Sequence, residues 1–342
     1  MKTWNGYQRG VNLGGWYSQC DHKEETYDNF IKREDIKVIK SWGLDHIRLP
    51  IDYELIETDD GKKLDSGFER ISKVISWCRE EGLNMILDLH KTFGFSFYDG
   101  DNEKGFFENE KYQERFYTLW ERLSESFGHH SDMLAFELLN EVTEKAYCDT
   151  WNRISIECIK RIRKICPDIK ILVGGYYNNS VEAVKDIAMP YDENIIYNFH
   201  CYEPLIFTHQ GAHWIPTMDK SFRIPFDAEF KKMDEAGEKM LQQVTTGFPG
   251  FAPEDTLSEK YFENIFAEAI KVAEERNVAL YCGEYGVIEN VDPEDAVKWY
   301  KLINNVFVKY GIGRAAWSYR EMNFGISDGR MDKVRDELIK YL

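Results

Sequence analysis

The 342-residue chain has 60 acidic against 43 basic side chains and a formal net charge of −17. A field of that sign repels nucleic acid and anionic membrane surfaces, so neither is an expected partner, while a neutral substrate is tolerated. No apolar run approaches the roughly 18 residues that a membrane-spanning helix needs. The opening MKTWNGYQRGVNLGGW has neither the apolar stretch nor the small-residue cleavage site of a signal peptide, so the expected location is the cytoplasm. The 7 cysteines are odd in number and show no CxxC spacing, which fits free thiols in a reducing compartment. Aromatic residues make up 15% of the chain. They can fill a core, and they can also stack on sugar rings.

Along the chain, short apolar β-branched runs alternate with longer helical patterns. Candidate strands are 7–15, 46–52, 84–90, 134–141, 169–175, 195–202, 279–286 and 313–319. Residues 34–43, 67–82, 115–127, 151–165 and 261–276 carry apolar side chains at i, i+3 and i+4, the mark of amphipathic helices. Eight strands, each followed by a helix, predict a (β/α)8 barrel, an α/β fold, in one catalytic domain over 1–342. The strand runs are continuously apolar, as strands buried on both faces should be. An open doubly wound sheet is the rival, but the GxGxxG turn is absent.

The interval between the sixth and seventh runs is the longest. Residues 203–262 therefore read as an insert, with a helical stretch at 226–244 and turn signals at FPGFAP (248–253). Loops after barrel strands lie on the catalytic face. The insert either caps one wall of the site or is a decorative helical pair.

Polar residues gather at the strand ends: Arg48 on the second, Asp88 and His90 on the third, Asn140 and Glu141 on the fourth. His200 and Tyr202 close the sixth, Glu284 the seventh and Trp317 the eighth. Two carboxylates from separate strands suit glycoside hydrolysis. One carboxylic acid protonates the leaving oxygen, and a second carboxylate attacks the anomeric carbon or activates water. Environment must keep one protonated and the other ionised near neutral pH. Arg48 is placed to hold one glutamate ionised, and Tyr202 to donate a hydrogen bond to the same carboxylate.

The segments VNLGGW (11–16), HIRLPIDY (46–53), DLH (88–90), LLNEV (138–142), YNFHCYEPLIFTHQGAHW (197–214), YCGEYGVI (281–288) and AAWSY (315–319) occur in this order. The pattern resembles glycoside hydrolase family 5, and within it the clostridial endoglucanase C type, over nearly the whole chain. The resemblance implies a retaining double displacement, with Glu141 as acid/base and Glu284 as nucleophile. It implies that Asn140 bonds the sugar 2-hydroxyl, that Arg48 and Tyr202 orient Glu284, and that His200 lies beside Glu141. His90 would reach a sugar hydroxyl, and Trp317 would be the platform under the reacting ring.

One departure concerns the third strand end. The family often reads Asp-x-His-His followed by Pro-Gly, whereas this chain has DLHKTFG (88–94). Lys91 either adds a cation near the site or points outward. Phe207, His209 and Trp214, with His213, are candidates for outer subsites, as are Trp16 and Phe95; packing of the insert is the competing role.

The acidic loops IETDDGKK (56–63) and YDGDNEKG (98–105) lack the full EF-hand pattern and read as polar loops. No zinc ligand set is present, and the expected mechanism uses no metal or cofactor. The expectation is a monomeric endo-β-1,4-glucanase acting on cellulose-type or mixed-linkage β-glucan and its oligosaccharides. A mannan or manno-oligosaccharide hydrolase is the second reading, and a non-catalytic carbohydrate-binding barrel the third.

Overall fold

The computed structural model describes residues 1–98, 100–241 and 247–342. Among the described residues, eight parallel strands close into a barrel in sequential order, β1 next to β2 through to β8, which returns to β1. The strands are β1 (Gly10–Asn12), β2 (His46–Asp52), β3 (Asn84–Lys91), β4 (Leu134–Glu137), β5 (Lys170–Val173), β6 (Ile195–Cys201), β7 (Ala279–Tyr285) and β8 (Gly313–Ala316). This is the expected (β/α)8 barrel, and several strands are shorter than their apolar runs. The run at 7–15 pairs over three residues only, and that at 134–141 stops at Glu137. The trailing residues leave the ladder, and Glu141 among them turns into the left-handed region.

Most outer helices lie where the periodicity predicts them, and the one at Pro293–Tyr310 is an addition to those patterns. The helices are α1 (Arg33–Ser41), α2 (Asp65–Glu81), α3 (Glu110–Phe127), α4 (Cys148–Ile165), α5 (Phe230–Met240), α6 (Glu259–Glu275) and α7 (Pro293–Tyr310). Local chemistry sets several boundaries. Gly82 ends α2 in the left-handed conformation at φ 66°. Asp292 caps the start of α7, where Pro293 occupies the first turn, and Gly311 ends it at φ 67°. The fifth strand breaks the strand-helix rule. It is followed by a left-handed turn within Tyr176–Asn179 and a 3-10 segment at Val181–Asp186.

Between β6 and α6 the chain forms a short helix, Leu205–Thr208, and then α5. The helical stretch expected at 226–244 begins later, at Phe230; its last residues, 242–244, lie outside the described residues. Phe230 stacks on Phe248 at 4.0 Å, which folds the two arms of this segment together.

Strand pleating splits each strand into two faces, and the inward face positions the site. Trp4, Tyr7, Ile86, Ala135, Leu172, Ile196, Tyr281 and Ala315 form an apolar cluster separate from the main core. Trp4 stacks on Tyr7 at 3.8 Å, so the segment before β1 plugs that end. Two residues further along the same inward faces the chemistry reverses. Ile86 gives way to Asp88, Ala135 to Glu137 and Ile196 to Asn198, all buried. The barrel is apolar at one end and carries a charged layer toward the strands' C-terminal ends.

All 7 cysteines are free thiols. No helix among the described residues is long and apolar enough to cross a membrane.

Candidate active site

The charged layer is organised by Arg48. This side chain is fully buried in the middle of β2 rather than at its end, because pairing continues to Asp52. Its Nε and Nη2 donate to Glu137 at 2.7 and 2.8 Å, and Nη2 also lies 3.0 Å from Asp88. Nη1 donates to Asn12 and to Glu284, both at 2.9 Å, and Nη2 reaches Asn140 Oδ1 at 2.9 Å. Glu137 takes a further bond from Asn198 at 2.8 Å. A buried guanidinium is stable only when its charge and donors are met, and three carboxylates with two amide oxygens do so here. Burial pushes the carboxyls of Glu137 and Asp88 up, with the Arg48 charge acting against it.

Glu284 sits on β7, its carboxylate fixed at both oxygens. Arg48 bonds Oε1, and the Tyr202 hydroxyl donates to Oε2 at 2.8 Å. Burial and the neighbouring Glu284 charge keep the Tyr202 phenol protonated, as a donor must be. Gly283, inside β7 and next to Glu284, lets β6 and β7 approach. A Cβ there would stand 2.7 Å from Asn198 Oδ1 and 2.9 Å from His200 Nε2, closer than packed atoms allow.

Glu141 lies beyond the end of β4 with a left-handed backbone, φ 42°. Both its carboxylate oxygens are also partnered. His200 Nδ1 is 2.7 Å from Oε1, and Asn178 Nδ2 donates to Oε2 at 3.0 Å. Asn179 Nδ2 lies 3.4 Å from His200 Nε2, which fits a ring protonated at Nδ1. Burial lowers the His200 pKa to about 4, so the ring is neutral near pH 7. Burial raises the Glu141 carboxyl above its ordinary range, with Asn178 opposing. One oxygen of Glu141 and one of Glu284 lie within 4.8 Å of each other, with His200 Nδ1 between them.

His90 is buried, with Nδ1 2.6 Å from Asp88 Oδ2 and Nε2 3.4 Å from the Asn140 amide. Its ring lies parallel to Trp317, centroids 5.7 Å apart. Gly14 explains how the indole fits. A Cβ there would meet the Trp317 ring at 2.6 Å, so VNLGGW needs glycine at that position. Glu141, Glu284, Arg48, His90, Asn140, His200, Tyr202 and Trp317 are thus one contiguous constellation.

The outer candidates divide. Trp16 is buried, its Nε1 donates to the Tyr27 carbonyl at 2.8 Å, and its ring stacks on Tyr17. It is a core residue of the β1 loop, not a subsite. Phe207 and Phe95 are buried too and pack against Phe226 and Phe107. The expectation fails for all three because loops over a barrel need their own small cores. Trp214 is 37% exposed, edge-on to His209 at 5.9 Å and near Phe324 at 6.2 Å. His209 and Phe324 in turn flank Tyr202, at 5.2 and 5.6 Å. Lys91 turns to Glu54 at 2.6 Å and Asp101 at 3.4 Å, so its charge is met outside the glutamate pair. In the 56–63 loop Asp60 is taken by Lys62 and Thr58. Residue 99, part of the 98–105 loop, lies outside the described residues.

Five residues of the site had not been expected: Asn12, Glu137, Asn178, Asn179 and Asn198. Glu137 was open to detection, as a lone carboxylate inside the apolar run LAFELL. Asn12, Asn178 and Asn179 carry no such signal, since asparagine is ordinary at strand ends and in loops.

The family model described as cellulase (glycosyl hydrolase family 5) matches residues 4–323. The chain is similar to cellodextrinase A of Ruminococcus flavefaciens, 48% identical over 309 residues, which cover 90% of this chain and 84% of that one. It is 34% identical over 340 residues to endoglucanase C of Acetivibrio thermocellus, covering 98% of both. In fold it is similar to an endoglucanase of the hyperthermophilic Thermotoga maritima, with a TM-score of 0.77 over 98% of this chain and 97% of that one, at 24% identity. A model match across most of the chain, with relatives at these identities, establishes that the protein is a glycoside hydrolase and belongs to the cellulase family, glycosyl hydrolase family 5.

Proposed function

We propose that the protein is a retaining endo-β-1,4-glucanase that cleaves cellulose-type and mixed-linkage β-glucan and their oligosaccharides. Glu284 is the nucleophile and Glu141 the acid/base. The observation that carries this reading is that one oxygen of Glu141 and one of Glu284 lie within 4.8 Å of each other, which supports the short carboxyl separation of a retaining pair. Retaining enzymes hold the pair about 5–5.5 Å apart, whereas inversion needs roughly 6.5–9.5 Å to admit a water.

Their surroundings support different roles. Glu284 has a guanidinium on one oxygen and a phenol on the other, which suits an ionised nucleophile. Glu141 is buried with no cation among the described residues in contact with its oxygens, and that burial favours a protonated acid even against the Asn178 bond. In the first step Glu284 attacks the anomeric carbon while Glu141 gives its proton to the leaving oxygen. In the second, ionised Glu141 takes a proton from water, which attacks the glycosyl-enzyme ester and frees Glu284. Asn140, held by Arg48, is placed for the sugar 2-hydroxyl, and Trp317 for the ring. The 203–262 insert supplies Trp214 to one wall. The similarity to a cellodextrinase favours short cellodextrins among the substrates.

The test is Glu284→Ala with and without azide. Turnover of an aryl β-cellobioside should be lost, and azide should restore it with an α-glycosyl azide as product. Near-normal activity in Glu284→Ala would remove the assignment. Product sizing on glucan, lichenan and mannan tests the substrate claim, and preference for mannan would overturn it.

A further inference from the structure

The loop after β5 shows an unusual backbone. Tyr177, Asn178 and Asn179 are consecutive non-glycine residues in the left-handed region, at φ 50°, 57° and 55°. Such residues are uncommon even singly, and asparagine tolerates the conformation better than most. The loop is tied to the loop that carries Glu141. Asn178 N donates to the Val142 carbonyl at 3.0 Å, and Tyr177 N to the Thr143 carbonyl at 3.2 Å. The turn thereby delivers the Asn178 amide to Glu141 Oε2, the oxygen that His200 does not hold.

We infer that Asn178 is a positioning residue that selects between the two protonation states of Glu141. The inference rests on the assignment of Glu141 as the acid/base. An amide N–H can donate to Oε2 only while that oxygen is ionised or otherwise free of a proton facing it. Its bond therefore favours the ionised carboxylate that acts as base in the second step. In the first step Glu141 is protonated, His200 keeps Oε1, and the proton occupies Oε2. The amide must then turn away, leaving Oε2 to face the leaving oxygen. Asn178 thus holds the acid/base in register during deglycosylation and yields during glycosylation.

Other groups also face Glu141. They are His200 on β6, Glu284 on β7, and, at longer range, Arg48 on β2, Asp88 and His90 on β3, and Tyr202 after β6. None of these contacts Oε2 as a neutral donor. Burial drives the Glu141 carboxyl up, and the Asn178 bond is the leading opposing influence.

The experiment uses the full chain with Asn178→Gly and Asn178→Asp. Both residues accept a left-handed backbone, so loss of the amide is separated from backbone strain. Glu141 is titrated by 13C NMR of glutamate-labelled enzyme, its resonance identified by its absence in Glu141→Gln. This readout needs no substrate, so it stands or falls apart from the glucanase assignment. The pKa of Glu141 should rise by about one unit in Asn178→Gly, the size expected for one hydrogen bond to a charged group, and by at least as much in Asn178→Asp. On an activated aryl β-cellobioside, where deglycosylation limits turnover, kcat at neutral pH should fall about tenfold and recover as pH is raised. Unchanged Glu141 titration in both variants would overturn the inference, as would a loss of kcat that is the same at every pH.

Discussion

Arg48 Nη1 lies 2.9 Å from Glu284 Oε1, while Nε and Nη2 of the same guanidinium both donate to Glu137. The carboxylate proposed as nucleophile is therefore positioned by a guanidinium that is itself anchored in a buried ion-pair network. Removing one partner of such a pair leaves an uncompensated charge and costs about 3–5 kcal/mol. Glu137→Ala should destabilise the fold by that amount in urea unfolding, and the surviving folded fraction should show a lower kcat. Wild-type stability in Glu137→Ala would mean that Asp88 and Glu284 alone satisfy Arg48.

Tyr202 holds the other oxygen of Glu284 through a single hydroxyl at 2.8 Å. Tyr202→Phe removes that hydroxyl and little else. Hydrogen bonds to charged groups contribute about 1.5–3 kcal/mol, so kcat/KM on cellotetraose should fall by about 10- to 100-fold. Thermal unfolding should stay close to wild type, because the ring still packs between His209 and Phe324.

Trp214 is the exposed end of the aromatic row that runs through His209 and Phe324 to Tyr202. A stacked sugar there would contribute about 1 kcal/mol. Trp214→Ala should raise KM about fivefold for cellopentaose and leave kcat/KM for an aryl cellobioside unchanged. An equal effect on both substrates would assign Trp214 to packing of the insert.

His209 offers a pH-dependent check on the same wall. Burial lowers its pKa to about 4, below the ordinary histidine value of about 6.5. The unfolded chain therefore takes up a proton first as pH falls. The stability associated with the neutral ring is complete above pH 6.5 and is lost between there and pH 4. His209→Phe removes that loss and keeps an aromatic ring. Its stability relative to wild type should improve by about 2 kcal/mol between pH 7 and pH 4, read by urea unfolding at each pH.

The sequence was most informative where chemistry and periodicity agreed. Strand runs and helix patterns foretold the barrel, because parallel strands buried on both faces must be continuously apolar and the helices around them amphipathic. Polar residues ending those runs marked eight members of the site. It was least informative in two kinds of place. Trp16 and Phe207 look like sugar platforms by composition, yet each fills a small core beneath its own loop. Asn178 reaches Glu141 only because three left-handed residues turn the β5 loop toward it, a backbone shape with no periodic signature. The missing helix after β5 has the same origin, since VEAVKD winds as a 3-10 segment too short for periodicity to reveal.

The central claim is that Glu141 and Glu284, with oxygens within 4.8 Å, perform a double displacement. Its most direct test is 1H NMR of the anomeric protons during the first minutes of cellotetraose hydrolysis, before mutarotation mixes the products. A double displacement releases the new reducing ends as the β-anomer, which only later equilibrates with α. Initial release of the α-anomer would mean inversion through a water, and would exclude Glu284 as a covalent nucleophile.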